Sequence, residues 1–156
     1  MKVDGMAEIS EMLSKMEKQA PAIAAQALYE GAGIMADEVK KGAEAIKTAP
    51  FQYAREGVRL PSPEEKEIVM KAAAGIAKFD KGADSVDTSV GYRNAGYAIL
   101  GDKQKPIPQI VNAINSGTSF MQKQPFVRKA ASQGAPKAIR AMKAKIEEAF
   151  EAITKE

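Results

Sequence analysis

From Met6 onward the apolar residues recur at steps of three and four: Met6, Ile9, Met12, Leu13 and Met16. That period builds a helix with one apolar side, and it predicts a short amphipathic helix over residues 6–19. Pro21 lacks the N–H of a helix interior, so it is expected to interrupt that helix and open a second one. The second should run to about Ile46 along Ile23, Ala27, Leu28, Met35, Val39 and Ile46. Gly31 and Gly33 fall inside it, each at a cost of about 1 kcal/mol against alanine. A kink at the pair is the simpler reading, and a close helix crossing is the other.

Residues 48–61 lose the period and read as a loop between Pro50 and Pro61, carrying the apolar residues Phe51, Tyr53, Val58 and Leu60. Ser62-Pro63-Glu64-Glu65 then marks a helix start. Serine caps the first turn, proline occupies its first position, and Glu65 stands three residues on, as a reciprocal capping box requires. This helix is expected to reach about Ala74. The period next changes to two: Val86, Thr88, Val90 and Tyr92 share one face of a half-buried strand over residues 85–92. Ile76–Phe79 is its candidate partner across a hairpin loop at residues 80–84, and Tyr97–Leu100 is a further apolar run, so a small antiparallel sheet of two to four strands is expected.

Ile107, Ile110, Val111 and Ile114 return to helical spacing, with Gly117 where a helix end needs a left-handed residue. After a polar loop, Pro125 fits the first turn of a C-terminal helix that reaches about Ile153 and is open to a break at Gly134-Ala135-Pro136. Its apolar stripe is Ile139, Met142, Ile146, Phe150 and Ile153. The expected class is α+β: long N-terminal helices and a C-terminal amphipathic helix packed on a small antiparallel sheet. Residues 1–156 read as a single domain, in segments 1–47, 62–116 and 124–155. Residues 48–61 and 101–108 are the segments expected to be disordered before docking.

Composition narrows the chemistry. The chain has 156 residues, 45% of them hydrophobic, and no Cys, His or Trp. That is enough to bury a core without disulfides. It leaves no thiolate nucleophile, no imidazole proton shuttle and no usual zinc ligand. No phosphate-binding loop, dinucleotide fingerprint or serine elbow occurs. Asp80, Asp84 and Asp87 lack the glycine and distal glutamate of a calcium loop, and Glu64, Glu65 and Glu67 are explained by helix-start electrostatics. The expectation is therefore a protein that is not an enzyme, with no cofactor, metal or catalytic residue. No signal peptide or membrane span is read, so it should be made in the cytoplasm.

Net charge is +3, but unevenly distributed. From Lys103 to Lys145 there are nine basic residues and no acid: Lys103, Lys105, Lys123, Arg128, Lys129, Lys137, Arg140, Lys143 and Lys145. Such a block is either a solvated helix face or a surface for phosphate, needing only charge in the right place. Phe120 and Phe126 accompany it, without a nucleic-acid motif.

The stretch Ile114-Asn115-Ser116-Gly117-Thr118-Ser119, followed by Gln124-Pro125-Phe126-Val127-Arg128-Lys129-Ala130, resembles the tail-completion (head–tail joining) proteins of long-tailed phages. The layout is similar too: long helices ending in a Lys/Ala-rich segment before Ala49-Pro50, a β region, a Gly-Thr turn, then a Pro-Phe start to the last helix. The resemblance implies a structural phage or prophage neck protein. Its expected partners are copies of itself in a ring, commonly hexameric, with a head connector or adaptor on one side and a tail tube or terminator protein on the other. It would reside in the virion after synthesis in the host cytoplasm. Under that reading the interaction candidates are Phe51, Tyr53, Gly117, Thr118, Phe120, Met121, Pro125, Phe126 and Arg128. Lys123, Lys129, Lys137, Arg140 and Lys143 would face genomic DNA weakly and without sequence preference. The alternative is a non-specific nucleic-acid-binding protein that uses residues 103–145.

Overall fold

The computed structural model describes residues 6–49, 58–72, 75–78, 80–81 and 86–155. The fold is α+β and mostly helical, with four helices and three short antiparallel strand pairs among those residues. Helix α1 spans Met6–Glu44 without a break, where two helices meeting at Pro21 were expected. Helix α4, Phe126–Lys155, likewise runs straight through Pro136. Both prolines are exposed, as are Glu17 and Ser132, whose carbonyls lose their hydrogen bonds. The loss of one backbone bond on the outer face does not break a helix held by packing on its inner face.

That inner packing is the contact between α1 and α4, the most extensive among the described residues. The two helices run antiparallel: Gly42 lies against Phe126, and Gly31 against Met142. A Cβ on Gly31 would stand 2.8 Å from Cγ and Sδ of Met142, and one on Gly134 would stand 2.8 Å from Sδ of Met35. Gly31 is therefore a close-crossing residue and not a kink, whereas Gly33 faces open space. The face of α4 that packs carries Phe126, Ala130, Gly134 and Ala138. This corrects the expected stripe, of which only Ile153 is buried while Ile139 and Phe150 remain exposed. Small residues let the backbones approach, so Ile139 and Phe150 are left on the flank, while Met142 packs against Gly31. For the same reason the main partner of α4 is α1 and not a sheet.

Helix α2 spans Pro63–Ala72. Strands β1 (Gly75–Ile76) and β2 (Asp80–Lys81) pair with β4 (Val90–Gly91) and β3 (Val86–Asp87), respectively. The expected hairpin is present, but the single strand over residues 85–92 is split. The register steps by one between its two halves, from Ile76 opposite Val90 to Asp80 opposite Asp87. Val86, Thr88, Val90 and Tyr92 still sit deeper than Asp87, Ser89 and Arg93, as their alternation requires. Strand β5 (Tyr97–Leu100) pairs with β6 (Lys103–Pro106), a strand within residues expected to be disordered. Gly101, at φ 61°, supplies the left-handed residue of the two-residue turn between them.

Helix α3, Ile107–Ser116, is the center of the core. Ile107, Ile110, Val111 and Ile114 are all buried, against Val39, Ala43, Ile46, Val69, Tyr92, Met121, Phe126 and Ala130. Gly117 ends α3 at φ 76°, with its N–H on the carbonyl of Ala113 at 3.0 Å. The ring of Tyr92 meets Phe126 edge-on, with centroids 6.3 Å apart. Its buried hydroxyl finds no partner among the described residues, and burial pushes the phenol above its ordinary pKa.

Candidate assembly surface

The segment between α3 and α4 is fixed at both ends. Thr118 and Met121 exchange backbone hydrogen bonds, Thr118 N–H to the Met121 carbonyl at 3.0 Å and Met121 N–H to the Thr118 carbonyl at 3.4 Å. The Phe120 N–H donates to Oγ1 of Thr118 at 3.3 Å. Residue Arg59 then pairs alongside: its N–H donates to the Phe120 carbonyl at 2.8 Å, and its carbonyl accepts from Gln122 N–H at 2.9 Å. Downstream, Gln124 N–H donates to the Ile114 carbonyl at 2.8 Å, while the Gln124 amide exchanges two 2.8 Å bonds with the backbone of Lys47. The Val127 N–H donates to Oδ1 of Asn115 at 3.1 Å, tying the start of α4 to the end of α3.

Extended backbone sends successive side chains to opposite sides. Met121 turns inward and is 3% exposed, while Phe120 turns outward at 59%. Of the expected contact pair, Met121 is thus a core residue, and Phe126, at the head of α4, is another. Both are corrections to the expected interaction set. Phe51 and Tyr53 lie outside the described residues. Gly117 is the cap of α3, Thr118 braces the loop, and Pro125 stands half-buried with its carbonyl accepting the first α4 bond from Lys129 at 3.0 Å. Arg128 is exposed on the first turn of α4.

The strand-like segment at Arg59 is anchored in turn by a buried acid that sequence reasoning assigned only to capping. Glu65 accepts two hydrogen bonds at 2.6 Å from the Arg59 guanidinium and a third at 2.8 Å from Ser62 N–H, and its own N–H donates to Ser62 Oγ at 3.1 Å. The capping box is therefore present and doubles as an ion pair. Burial alone would raise the Glu65 carboxyl; the Arg59 fork and the Ser62 N–H outweigh it and hold it below the usual carboxylate range. An arginine three residues before a capping serine is the only sequence signal for this, and it is faint.

The basic block divides. Lys137 binds Glu38 at 2.8 Å, beside Lys41 at 3.1 Å, and these two hydrogen-bonded lysines hold the Glu38 carboxyl below its ordinary pKa. Lys145 binds Glu148 at 3.1 Å. Lys123 and Lys129 line a groove of about 590 Å³ between the end of α1 and the start of α4, together with Lys41 and Lys47 and over a floor that includes Ile46 and Phe126. Arg140 and Lys143 are exposed further along α4. Among the described residues no group of acids is placed to hold a metal ion, and no helix is long and apolar enough to cross a membrane. No family model, curated protein or solved structure matches the chain.

Proposed function

We propose that this chain is a structural protein of a phage or prophage neck, completing the tail and joining it to the head by ring assembly and docking, with no reaction to catalyse. The observation that carries the reading is Phe120: a large apolar side chain held out to solvent by a hydrogen-bonded loop, between the two stretches, 114–119 and 124–130, that carry the family resemblance. Preorganised aromatic residues make effective anchors because little side-chain or loop entropy is lost when a partner covers them. Connector and tail-tube proteins are the partners this reading assigns.

Phe120→Asp tests it. Because the side chain is largely exposed, the substitution should change folding stability by no more than about 0.5 kcal/mol in urea unfolding. Burial of that ring at a joint, replaced by a carboxylate, should lower the yield of joined particles at least about tenfold in a complementation assay. Normal joining by a folded Phe120→Asp protein would remove the docking role.

A second reading, weak nucleic-acid contact, has one observation in its favour: Lys129, Arg140 and Lys143 are exposed and stand on one flank of α4 by helical spacing. Binding through such a flank, with about three phosphates met, should fall by roughly fortyfold between 50 and 200 mM salt. Filter binding of random duplex DNA measures it, and tight binding in 200 mM salt would move the function to nucleic acid.

A further inference from the structure

The groove between the end of α1 and the start of α4 has walls that are tied together before anything enters it. The Gln124 amide donates to the Lys47 carbonyl and accepts from the Lys47 N–H, each at 2.8 Å. One wall carries Lys41 and Lys47, the other Lys123 and Lys129, and about 590 Å³ lies between them. That is within the range of clefts that hold a ligand. Leu60 and Pro125, both half-buried, add apolar surface that is still open to solvent.

The free charge of the groove has one sign. Among the described residues the one carboxylate in its lining is Glu38, and that is already taken by Lys41 at 3.1 Å and Lys137 at 2.8 Å. Lys47, Lys123 and Lys129 are exposed, and none of them forms an ion pair among the described residues. Helix α4 starts at this groove with no acid in its first turn, so the positive end of its dipole adds to the same potential. Carboxylates brought into the cleft relieve the mutual repulsion of these groups. Nucleic acid suits the cleft less. A single strand needs exposed aromatic faces to stack on, and the one aromatic ring in the described lining, Phe126, is 5% exposed and set edge-on to Tyr92. A duplex is too broad to enter a cleft between neighbouring helices and meets only its rim.

We infer that the groove takes an acidic, extended segment of a partner protein, with carboxylates toward Lys47 on one wall and toward Lys123 and Lys129 on the other. An extended chain sends successive side chains to opposite sides, so one segment meets both walls. Its backbone and an aliphatic side chain then cover Leu60 and Pro125. Phe120 does not line the groove, so binding here and the joining of particles through Phe120 are separate results.

The test is fluorescence anisotropy of the full chain with a fluorescein-tagged peptide, Glu-Glu-Glu-Leu-Glu-Glu-Glu. In about 150 mM salt the peptide should bind with a Kd of roughly 10–100 μM. A counterpart with glutamine for every glutamate should bind at least about tenfold more weakly. Lys47→Glu with Lys123→Glu should weaken the acidic peptide at least about tenfold, because two attractive contacts become repulsive. Arg140→Glu with Lys143→Glu makes the same change in net charge on α4 outside the groove, and should leave the affinity within about twofold. Far-UV circular dichroism confirms that helix content is kept; glutamine replaces the introduced glutamate if it is not. Failure of the wild type to bind the peptide overturns the proposal, and so does equal weakening by the two double variants. Single-stranded DNA that displaces the peptide from wild type, and binds the groove variant more weakly, would give the groove to nucleic acid instead. Self-association of wild type that only the groove variant abolishes would give it to a second copy.

Discussion

Ile114→Ala is expected to cost the fold about 3–4 kcal/mol, within the range for deleting three methyl or methylene groups from a site with no freedom to collapse. The side chain of Ile114 is fully buried, among Val39, Val69, Met121 and Phe126 on four separate parts of the chain. No single element can move inward to fill the space without dragging the others. For a domain of this size the loss should lower the urea midpoint by about 2 M. Ile99→Ala is the matched control. The same atoms are removed from a residue that is 73% exposed on β5, so the change should stay within about 0.5 kcal/mol. Equal effects from the two substitutions would mean that α3 is not the center of the core.

The legibility of this chain followed the range of the interactions involved. Helix α3, its Gly117 stop, the Ser62–Glu65 box and the inward alternation of Val86 to Tyr92 are local patterns, and each appears where the sequence placed it. The two prolines misled because proline reports a lost hydrogen bond but not which side of the helix it lies on. Packing of α1 against α4, invisible locally, decides that the bond is dispensable. The C-terminal stripe misled in the opposite way. Hydrophobicity picks out Ile139 and Phe150, yet close approach selects Ala130, Gly134 and Ala138, and small residues give a weak hydrophobic signal. In the candidate site, Phe120 was legible as a loop aromatic, but its separation from Met121 was not. That separation depends on pairing with Arg59, some sixty residues earlier in the chain.

The same pairing makes Glu65 the most sensitive polar position. Glu65→Ala should destabilise the fold by about 2–4 kcal/mol, below the upper end for a broken buried pair because Arg59 is one-third exposed and keeps some hydration. Glu65→Gln separates the two roles of the side chain, since an amide can still serve the helix cap but not the ion pair. Its cost depends on pH. The carboxyl is depressed in the folded protein, so its contribution is fully present above the ordinary carboxylate value near 4.5 and is lost as pH falls through the folded value. Urea unfolding should therefore show a wide gap between wild type and Glu65→Gln at pH 7, narrowing below pH 4.5. Hydrogen exchange at the Arg59 and Gln122 amides, the two that bridge to the Phe120 loop, should accelerate in Glu65→Gln at pH 7 more than exchange within α3 does. If those amides keep wild-type protection while stability drops, the acid holds only its own helix, and the outward placement of Phe120 has another cause.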